Sequence, residues 1–472
     1  MAIKKKILVD VSYGMSFRNI ILNKNFWDRL TKEYEVHLIT PLKIDSKDQK
    51  DLNISLIIDS TKFIKNFINK IFLSINLNAL HIRRLMDLSD FFLRQQLGWP
   101  LVSRYHETYR NKEELNQALF FWPAIKRTSF GKHLRKIVYR FPLFHPASLI
   151  FKNNDYHFLI NSHNSEYNSV LIAQIAERNN IPIVGFPMGL DNIMHGPFLF
   201  NPDLLFFWGP DQELEFNKVQ LPWNKNLKSS KNEMLGNLIF DTINETKDSE
   251  VLGCDDQKIT APFLLFTTMP EDDHPGQEII CRTIVNYLKN NNLPHKLVIR
   301  LRPGHDESIW EEFKEQNINE VILQIPLGTS FDKSGKKNKI DLIQETKDVA
   351  IYSSTLSKSC VVISRALSTT YTDALFVGTP AITTQYYPQD EERSKGFHRM
   401  WDQICTFYPH YKNGYKFAFS ENDLIEFLSN ALQRNKEELI DEDQINLLNR
   451  QFYSSSETAG DRAFNLIKEN FS

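Results

Sequence analysis

The stretch from Ser359 to Thr384, SCVVISRALSTTYTDALFVGTPAITT, constrains the fold of this chain more than any other. Its apolar, β-branched run Val361–Ser364 predicts a buried parallel strand, and Ala381–Thr384 predicts the next one. Between them, Tyr371–Val377 predicts a short helix that ends at the Gly-Thr-Pro triplet. Strand, turn, helix and strand in this order form the repeating unit of a parallel α/β sheet.

Three consecutive hydroxyl residues, Ser368, Thr369 and Thr370, stand where this predicted helix begins. The free N–H groups of a helix start point out of the carboxyl edge of such a sheet, and the helix dipole favours negative charge there. One Ser or Thr at this position would be an ordinary helix cap. Three together favour a phosphate-binding role, with simple capping as the alternative.

The strand–helix rhythm recurs along both halves of the chain, and 472 residues are too many for a single core. A helical insertion at about 61–150 interrupts the first half, and Lys347–Ser359 predicts the helix that precedes the strand at Val361. The predicted boundaries are 1–245 for an N-terminal Rossmann-like domain, 246–261 for a polar linker, 262–440 for a second Rossmann-like domain, and 441–472 for C-terminal helices. The sequence therefore predicts an α/β fold with two doubly wound domains.

The segment around Ser368 resembles the S-x-T-x-x-E/D-A-L-x-x-G-x-P signature in the nucleotide-binding half of GT-B glycosyltransferases of the bacterial surface-polysaccharide type. The same layout occurs in CDP-glycerol glycerophosphotransferases and UDP-N-acetylglucosamine 2-epimerases. Five more stretches resemble other parts of that family: Lys6–Arg18, Asp203–Trp208, Glu233–Asp241, Pro262–Thr268 and Leu297–Pro303. The resemblance implies two Rossmann-like domains that face a cleft, with the nucleotide donor in the C-terminal domain and the acceptor in the N-terminal domain.

The donor-site candidates lie at predicted strand ends and at the hydroxyl cluster. Arginine forks match phosphate oxygens, and many relatives carry R-x-H-P where this chain has Arg302 and, two residues after the proline, His305. Asp373 stands where relatives place a glutamate that reaches the donor ribose, although an acidic residue in a first helical turn also complements the dipole. The complete donor set is Thr267, Thr268, Arg300, Arg302, His305, Ser368, Thr369, Thr370 and Asp373.

The acceptor side is predicted in the N-terminal half. Gly14 allows close approach of the backbone to a ligand, and Arg18 stands at a helix start, so these two and Asn192 are candidate acceptor contacts. A plain strand-to-helix turn is the alternative for Gly14 and Arg18. An inverting transferase needs one base to take the proton of the acceptor hydroxyl. His163, Glu166 and Asp191 follow predicted strands and are the candidates for that base, with a helix cap or a loop hydrogen bond as the alternative for each.

Neither a metal site nor a cofactor is expected. No Asp-x-Asp motif with a partner follows a predicted strand, and GT-B relatives neutralise the leaving phosphate with a helix dipole and cationic side chains. The four cysteines form no CxxC pair, which argues against zinc and disulfides and for a reducing cytoplasm. The basic N-terminus is interrupted by Asp10, which favours a first strand over a signal peptide.

Charge is unevenly distributed along the sequence. Net charge is −2, yet residues 61–150 contain 15 Lys or Arg and 5 Asp or Glu, together with many aromatic residues. A solvated helical insertion explains this composition, and so does docking on an anionic membrane surface or a polyanionic acceptor. Nucleic acid is not expected, because no recognition motif accompanies the charge. The predicted location is the cytoplasm, at the inner face of the cytoplasmic membrane where the insertion docks.

These observations favour a metal-independent, inverting glycosyltransferase that moves a sugar from a nucleotide-sugar donor to a hydroxyl of a cell-surface saccharide or lipid-linked acceptor. Transfer of glycerol phosphate or ribitol phosphate from a CDP-polyol is the first alternative, because it uses the same phosphate site. A 2-epimerase is disfavoured, since a soluble isomerase has no use for the basic aromatic insertion. A non-enzymatic relative is disfavoured by the intact hydroxyls at Ser368, Thr369 and Thr370.

Overall fold

A computed structural model describes most of the chain outside the basic insertion. The described residues are 4–11, 16–60, 148–152, 154–162, 167–187, 189, 193, 198, 200–221, 227, 229–253, 258–269, 271, 274–302, 307–327, 329–331, 337–365, 367–391, 394, 401–402 and 404–471. The chain divides into two compact units. Unit 1 comprises Met1–Leu238 and Gln451–Ser472, and unit 2 comprises Ile239–Arg450.

Unit 1 is built on seven strands. They are β1 (Lys6–Asp10), β2 (Glu35–Thr40), β3 (Ile54–Asp59), β4 (Tyr156–Asn161), β5 (Ile183–Gly185), β6 (Leu204–Phe207) and β7 (Lys231–Met234). The helices are α1 (Lys24–Glu33), α2 (Ser46–Asp51), α3 (Ser148–Lys152), α4 (Tyr167–Arg178) and α5 (Pro210–Glu215), with π-helical turns at Phe17–Ile21 and Phe216–Gln220. Helix α1 begins where the Asn23 side chain accepts the Phe26 N–H, which is the usual way to satisfy a free helix-start donor.

Unit 2 begins within the helix α6 (Leu238–Thr246). Its strands are β8 (Phe263–Thr267), β9 (Lys296–Arg300), β10 (Val321–Gln324), β11 (Thr329–Phe331), β12 (Lys337–Ile340), β13 (Val362–Arg365), β14 (Ala381–Thr384) and β15 (Phe417–Ala418). Its further helices are α7 (Gln277–Asn290), α8 (Ser308–Gln316), α9 (Leu342–Lys358), α10 (Thr369–Phe376), α11 (Tyr411–Gly414), α12 (Glu421–Ala431) and α13 (Glu442–Gln451), with a 3₁₀ turn at Lys436–Glu438.

The chain ends in helix α14 (Ala459–Phe471), which belongs to unit 1 and packs against α1. Arg29 of α1 donates to the Asp461 carboxylate at 2.6 Å, and its guanidinium lies 4.3 Å from the centre of the Phe464 ring. Gly460 makes this close approach possible, since a Cβ there would lie 2.9 Å from the Phe26 backbone nitrogen. The last residues of the chain are therefore part of the N-terminal unit.

Both large sheets are entirely parallel. The strand order is β3-β2-β1-β4-β5-β6-β7 in unit 1 and β10-β9-β8-β13-β14-β15 in unit 2, while β11 and β12 form a separate antiparallel hairpin. The central strands are buried on both faces, as Leu264, Leu297 and Ile363 illustrate with 0% exposure, whereas the edge strand β3 is partly exposed. Each fully buried side chain of this kind contributes roughly 1.5–3 kcal/mol to folding. The predicted fold class, two Rossmann-like doubly wound α/β domains, is confirmed by these sheets.

The polar stretch predicted as a linker, 246–261, is held against α9 where it is described. The Ser354 hydroxyl donates to the Glu250 carbonyl at 3.1 Å, and the Lys358 ammonium donates to the Ser249 carbonyl at 2.6 Å. These bonds explain why the stretch belongs to unit 2. Across the described ranges, no helix combines the length and the apolar character needed to cross a membrane.

Candidate functional site

The carboxyl edge of the unit 2 sheet contains a topological switch point. From β8 the chain adds β9 and β10 on one side of the sheet, and then β13, β14 and β15 on the other. The ends of β8 and β13 lie side by side, because Thr267 is the register partner of Ser364. Ligands of open α/β sheets bind in the crevice outside such a point. Three residues separate the end of β13 from the start of α10, so the hydroxyl cluster lies at this edge.

Ser368 is the N-cap of α10. Its hydroxyl accepts the Thr370 N–H at 3.1 Å, so its capping role is realised. Thr369 differs, because neither its N–H nor its hydroxyl has a hydrogen-bond partner among the described residues. The Thr370 hydroxyl lies 3.5 Å from the phenol oxygen of Tyr352. The start of α10 thus presents free donors and the positive end of the helix dipole together, which suits a phosphate.

Asp373 lies in the second turn of α10 and is only 6% exposed. The Tyr352 hydroxyl donates to its Oδ2 at 2.7 Å, whereas its Oδ1 has no hydrogen-bond partner in the described part of the chain. Burial raises the pKa of the Asp373 carboxyl from 3.8 to about 7, and the Tyr352 bond partly offsets this rise. Burial and the nearby Asp373 carboxylate raise the pKa of Tyr352 as well, so the phenol stays protonated and donates. Asp373 is a buried acceptor poised to titrate near neutrality.

Arg300, at the end of β9, is held by an ion pair with Asp348 of α9. Its Nη2 lies 2.9 Å from both carboxylate oxygens, and the two side chains are 7% and 1% exposed. Its Nη1 is buried without a partner in the described residues. The guanidinium carbon lies 5.2 Å from the centre of the Tyr352 ring. Arg300 therefore connects the Asp348 carboxylate to the tyrosine that bonds Asp373.

Thr268 and Arg302 join the ends of β8 and β9. The Thr268 hydroxyl accepts the Arg302 N–H at 2.9 Å, and the Arg302 side chain itself is exposed. Thr267 ends β8 and is 8% exposed. Together with Arg300, the hydroxyl cluster and Asp373, these residues lie at one edge of one sheet, so the structure places the described donor candidates together.

Sequence analysis missed three residues of this edge: Asp348, Tyr352 and Arg365. Arg365 ends β13 and is fully buried, with its guanidinium donating at 2.9 Å to the carbonyls of Thr384 and Tyr386. It fixes the chain after β14 relative to β13. The position of Arg365 directly after an apolar run could have predicted a strand-end residue. The four-residue spacing of Asp348 and Tyr352 could have predicted that they share one face of a helix.

Several predicted residues lie outside the described residues. They are His305 of the donor set, Gly14 and Asn192 of the acceptor set, and the candidate bases His163, Glu166 and Asp191. Arg18 is described and lies in the π-helical turn Phe17–Ile21. The switch point of the unit 1 sheet falls between β1 and β4, which end at Asp10 and Asn161. The basic insertion is outside the description from 61 to 147.

No family model matches the sequence, and neither does any curated protein. Among solved structures, the chain is similar to a UDP-GlcNAc 2-epimerase from Neisseria meningitidis bound to UDP-GlcNAc, with a TM-score of 0.49, 9% identity, and coverage of 98% of this chain and 100% of that one. For MnaA of S. aureus, solved with UDP, the TM-score is 0.49, identity is 12%, and coverage is 99% and 96%. For a glycosyltransferase from Rickettsia africae the TM-score is 0.43, identity is 11%, and coverage is 99% of this chain and 98% of that one. At TM-scores below 0.5, these likenesses carry no weight for the reaction of this chain.

Proposed function

We propose that the protein is a glycosyltransferase that uses a nucleotide-sugar donor. The observation that carries this proposal is the start of α10 at the switch point. There Thr369, whose donors have no partner in the described part of the chain, lies one helical turn before the buried Asp373 acceptor. A phosphate accepts from helix-start donors, and a ribose donates to a carboxylate. A nucleotide diphosphate offers both kinds of group in one molecule.

The proposed reaction transfers the sugar to an acceptor hydroxyl and leaves a nucleoside diphosphate. The α10 dipole, the Thr369 donors and the Arg302/His305 loop would stabilise the negative charge that develops on the leaving phosphate. A base in unit 1, chosen from His163, Glu166 and Asp191, would take the proton of the acceptor hydroxyl. Attack from the face opposite the departing phosphate gives inversion. Gly14, Arg18 and Asn192 would contact the acceptor. These roles need no metal ion.

The direct test is a thermal-shift screen with UDP, CMP, CDP, GDP and their sugar or glycerol conjugates, carried out in EDTA. We expect nucleotides of one nucleobase to raise the unfolding temperature of the protein. We expect the same rise with and without EDTA. Preference for a CDP-polyol would favour phosphoryl transfer over sugar transfer. Failure of every nucleotide to stabilise the protein would contradict the proposal.

Two substitutions at the start of α10 separate binding from capping. Thr369→Val removes a hydroxyl that has no hydrogen-bond partner among the described residues. Nucleotide affinity should therefore fall about tenfold, on the scale of one charge-assisted hydrogen bond, while the unfolding temperature stays unchanged. Ser368→Ala should also lower stability, by about 1 kcal/mol for the lost cap. Thr346→Val is the matched control, since Thr346 is exposed and bonds only its own helix. Equal affinity of Thr369→Val and Thr346→Val by calorimetry would exclude Thr369 from the site.

The proposed acceptor is a cell-surface saccharide or lipid-linked molecule, reached at the inner face of the cytoplasmic membrane. The support is the charge of residues 61–150, with 15 basic and 5 acidic side chains. Each Lys or Arg near an anionic surface contributes about 1 kcal/mol, and salt screens this attraction. We expect co-sedimentation with anionic vesicles at low salt and release at high salt. No co-sedimentation at low salt would remove the membrane part of the proposal.

A further inference from the structure

Four side chains of unit 2 contact one another in series, and the last of them belongs to α10. Asp348 binds Arg300, whose guanidinium lies against the Tyr352 ring, and the Tyr352 hydroxyl binds Asp373. Asp348 and Tyr352 come from α9, four residues apart, so they lie on the same face of that helix. This series of contacts therefore connects the end of β9 to α10 through side chains of α9.

This arrangement is asymmetric at Asp373. One carboxylate oxygen, Oδ2, is engaged by Tyr352, and the other, Oδ1, is buried without a described partner. A buried acceptor without a donor carries a desolvation penalty, and a ligand that donates to Oδ1 would relieve it. Oδ1 carries two lone pairs, which is the number that the two hydroxyls of a ribose 2′,3′-diol require.

We propose that Tyr352, held by Arg300, is a positioning residue that fixes the orientation and charge of Asp373 so that Oδ1 receives the ribose diol of the donor nucleotide. This inference rests on the proposed function. Tyr352 would not touch the nucleotide itself. Its phenol would keep the carboxylate from rotating and, as a donor, would favour the ionised form that accepts hydrogen bonds.

The charged and titratable groups around Asp373 support this role. Helix α10 packs against α9, β13 and β14. Helix α9 contributes Tyr352 and the Asp348 that neutralises Arg300, whereas β14 contributes no titratable group. Arg365 of β13 faces the carbonyls of Thr384 and Tyr386 instead. Tyr352 is consequently the group that lowers the pKa of Asp373, against the burial that raises it to about 7.

The sign of the pH effect follows from the direction of the hydrogen bonds. Ribose hydroxyls donate to the ionised carboxylate, so nucleotide affinity should rise with pH and level off above about 7. Without the Tyr352 donor the pKa of Asp373 rises further, and the whole profile moves to higher pH. A purely structural defect would lower affinity by the same factor at every pH.

The experiment uses the full chain with Tyr352→Phe, and with the exposed Tyr453→Phe as matched control. Affinity is measured from pH 5.5 to 8.5 for UDP-glucose, GDP-mannose and CDP-glycerol, whose phosphates do not titrate in this range. We expect Tyr352→Phe to shift the midpoint upward and to weaken binding about tenfold at pH 7, and Asp373→Asn to abolish the pH dependence. An unshifted midpoint, or an equal loss at all pH values, would overturn the positioning role.

A second measurement needs no nucleotide. The Asp373 carboxyl is followed by ¹³C NMR in labelled protein, with the signal assigned by its loss in Asp373→Asn. A midpoint near 7 that rises in Tyr352→Phe supports the link between the two side chains, and an unchanged midpoint refutes it. If the carboxyl responds but none of the three nucleotides binds at any pH, the proposed function falls while the link stands.

Discussion

Replacing Arg300 by methionine is expected to destabilise unit 2 by about 3–5 kcal/mol, the cost of leaving one partner of a buried ion pair without the other. The group that would lose its partner is Asp348, whose carboxylate is 1% exposed and lies 2.9 Å from Arg300. Asp348 also accepts the Leu327 N–H at 2.9 Å, so the carboxylate cannot leave without breaking a second bond. The change in unfolding temperature by scanning calorimetry is the measurement.

Two further variants make this prediction specific. Arg300→Met combined with Asp348→Asn should recover most of the loss, because an amide needs no counter-ion and can still accept the Leu327 N–H. Arg282→Met is the matched control: its partner Glu278 lies 2.5 Å away, but the two side chains are 45% and 40% exposed. Exposed pairs contribute about 0.2–1 kcal/mol. A loss at Arg300 no larger than at Arg282 would contradict a buried ion pair.

The strands of unit 2 were predictable because a parallel strand covered on both faces needs an unbroken apolar run. The sequence predicts strands at Val361–Ser364 and Ala381–Thr384, and the structure has them at Val362–Arg365 and Ala381–Thr384. The donor candidates at strand ends followed from the same pattern, since parallel strands bring their carboxyl ends to one edge.

Helix α9 shows where the pattern fails. Sequence analysis began this helix at Lys347, but it begins at Leu342 after Asp341, whose side chain accepts the Gln344 N–H. The helix buries polar residues, with Glu345, Asp348 and Thr355 all at 0% exposure. Periodicity assigns the apolar face to the core, so a helix with a buried polar face escapes it.

The role of Arg300 could not be inferred from sequence for a related reason. Its partner Asp348 is 48 residues away along the chain, and the pairing exists only because the fold brings α9 beside the end of β9. Strand-end position suggested a phosphate ligand for Arg300. The structure adds what the sequence does not contain, a carboxylate partner for its Nη2 and the Tyr352 ring against its guanidinium. Contacts between side chains of different elements depend on tertiary structure, which local sequence patterns do not specify.

The second large effect is expected for Asp373→Asn, which should raise stability at alkaline pH. The pKa of Asp373 is 3.8 in the unfolded chain and about 7 in the fold, so the folded protein binds this proton more tightly. The contribution of Asp373 to stability is therefore complete below pH 3.8 and is lost as the pH rises through 7. At pH 8 the buried carboxylate lowers the free energy of unfolding by up to about 4 kcal/mol, and asparagine removes that cost.

The same substitution should weaken nucleotide binding about tenfold or more, because ribose donors bond an amide oxygen less strongly than a carboxylate. Unfolding temperature and nucleotide affinity are measured at pH 5.5 and 8, with the exposed Asp402→Asn as control. We expect Asp373→Asn to gain about twice as much stability at pH 8 as at pH 5.5 and to lose affinity at pH 8, and Asp402→Asn to change neither. A substitution that raises stability but lowers nucleotide affinity identifies a residue that serves function at a cost in stability. If Asp373→Asn loses stability at pH 8 and keeps its affinity, Asp373 is a structural acid and the ribose contact is elsewhere.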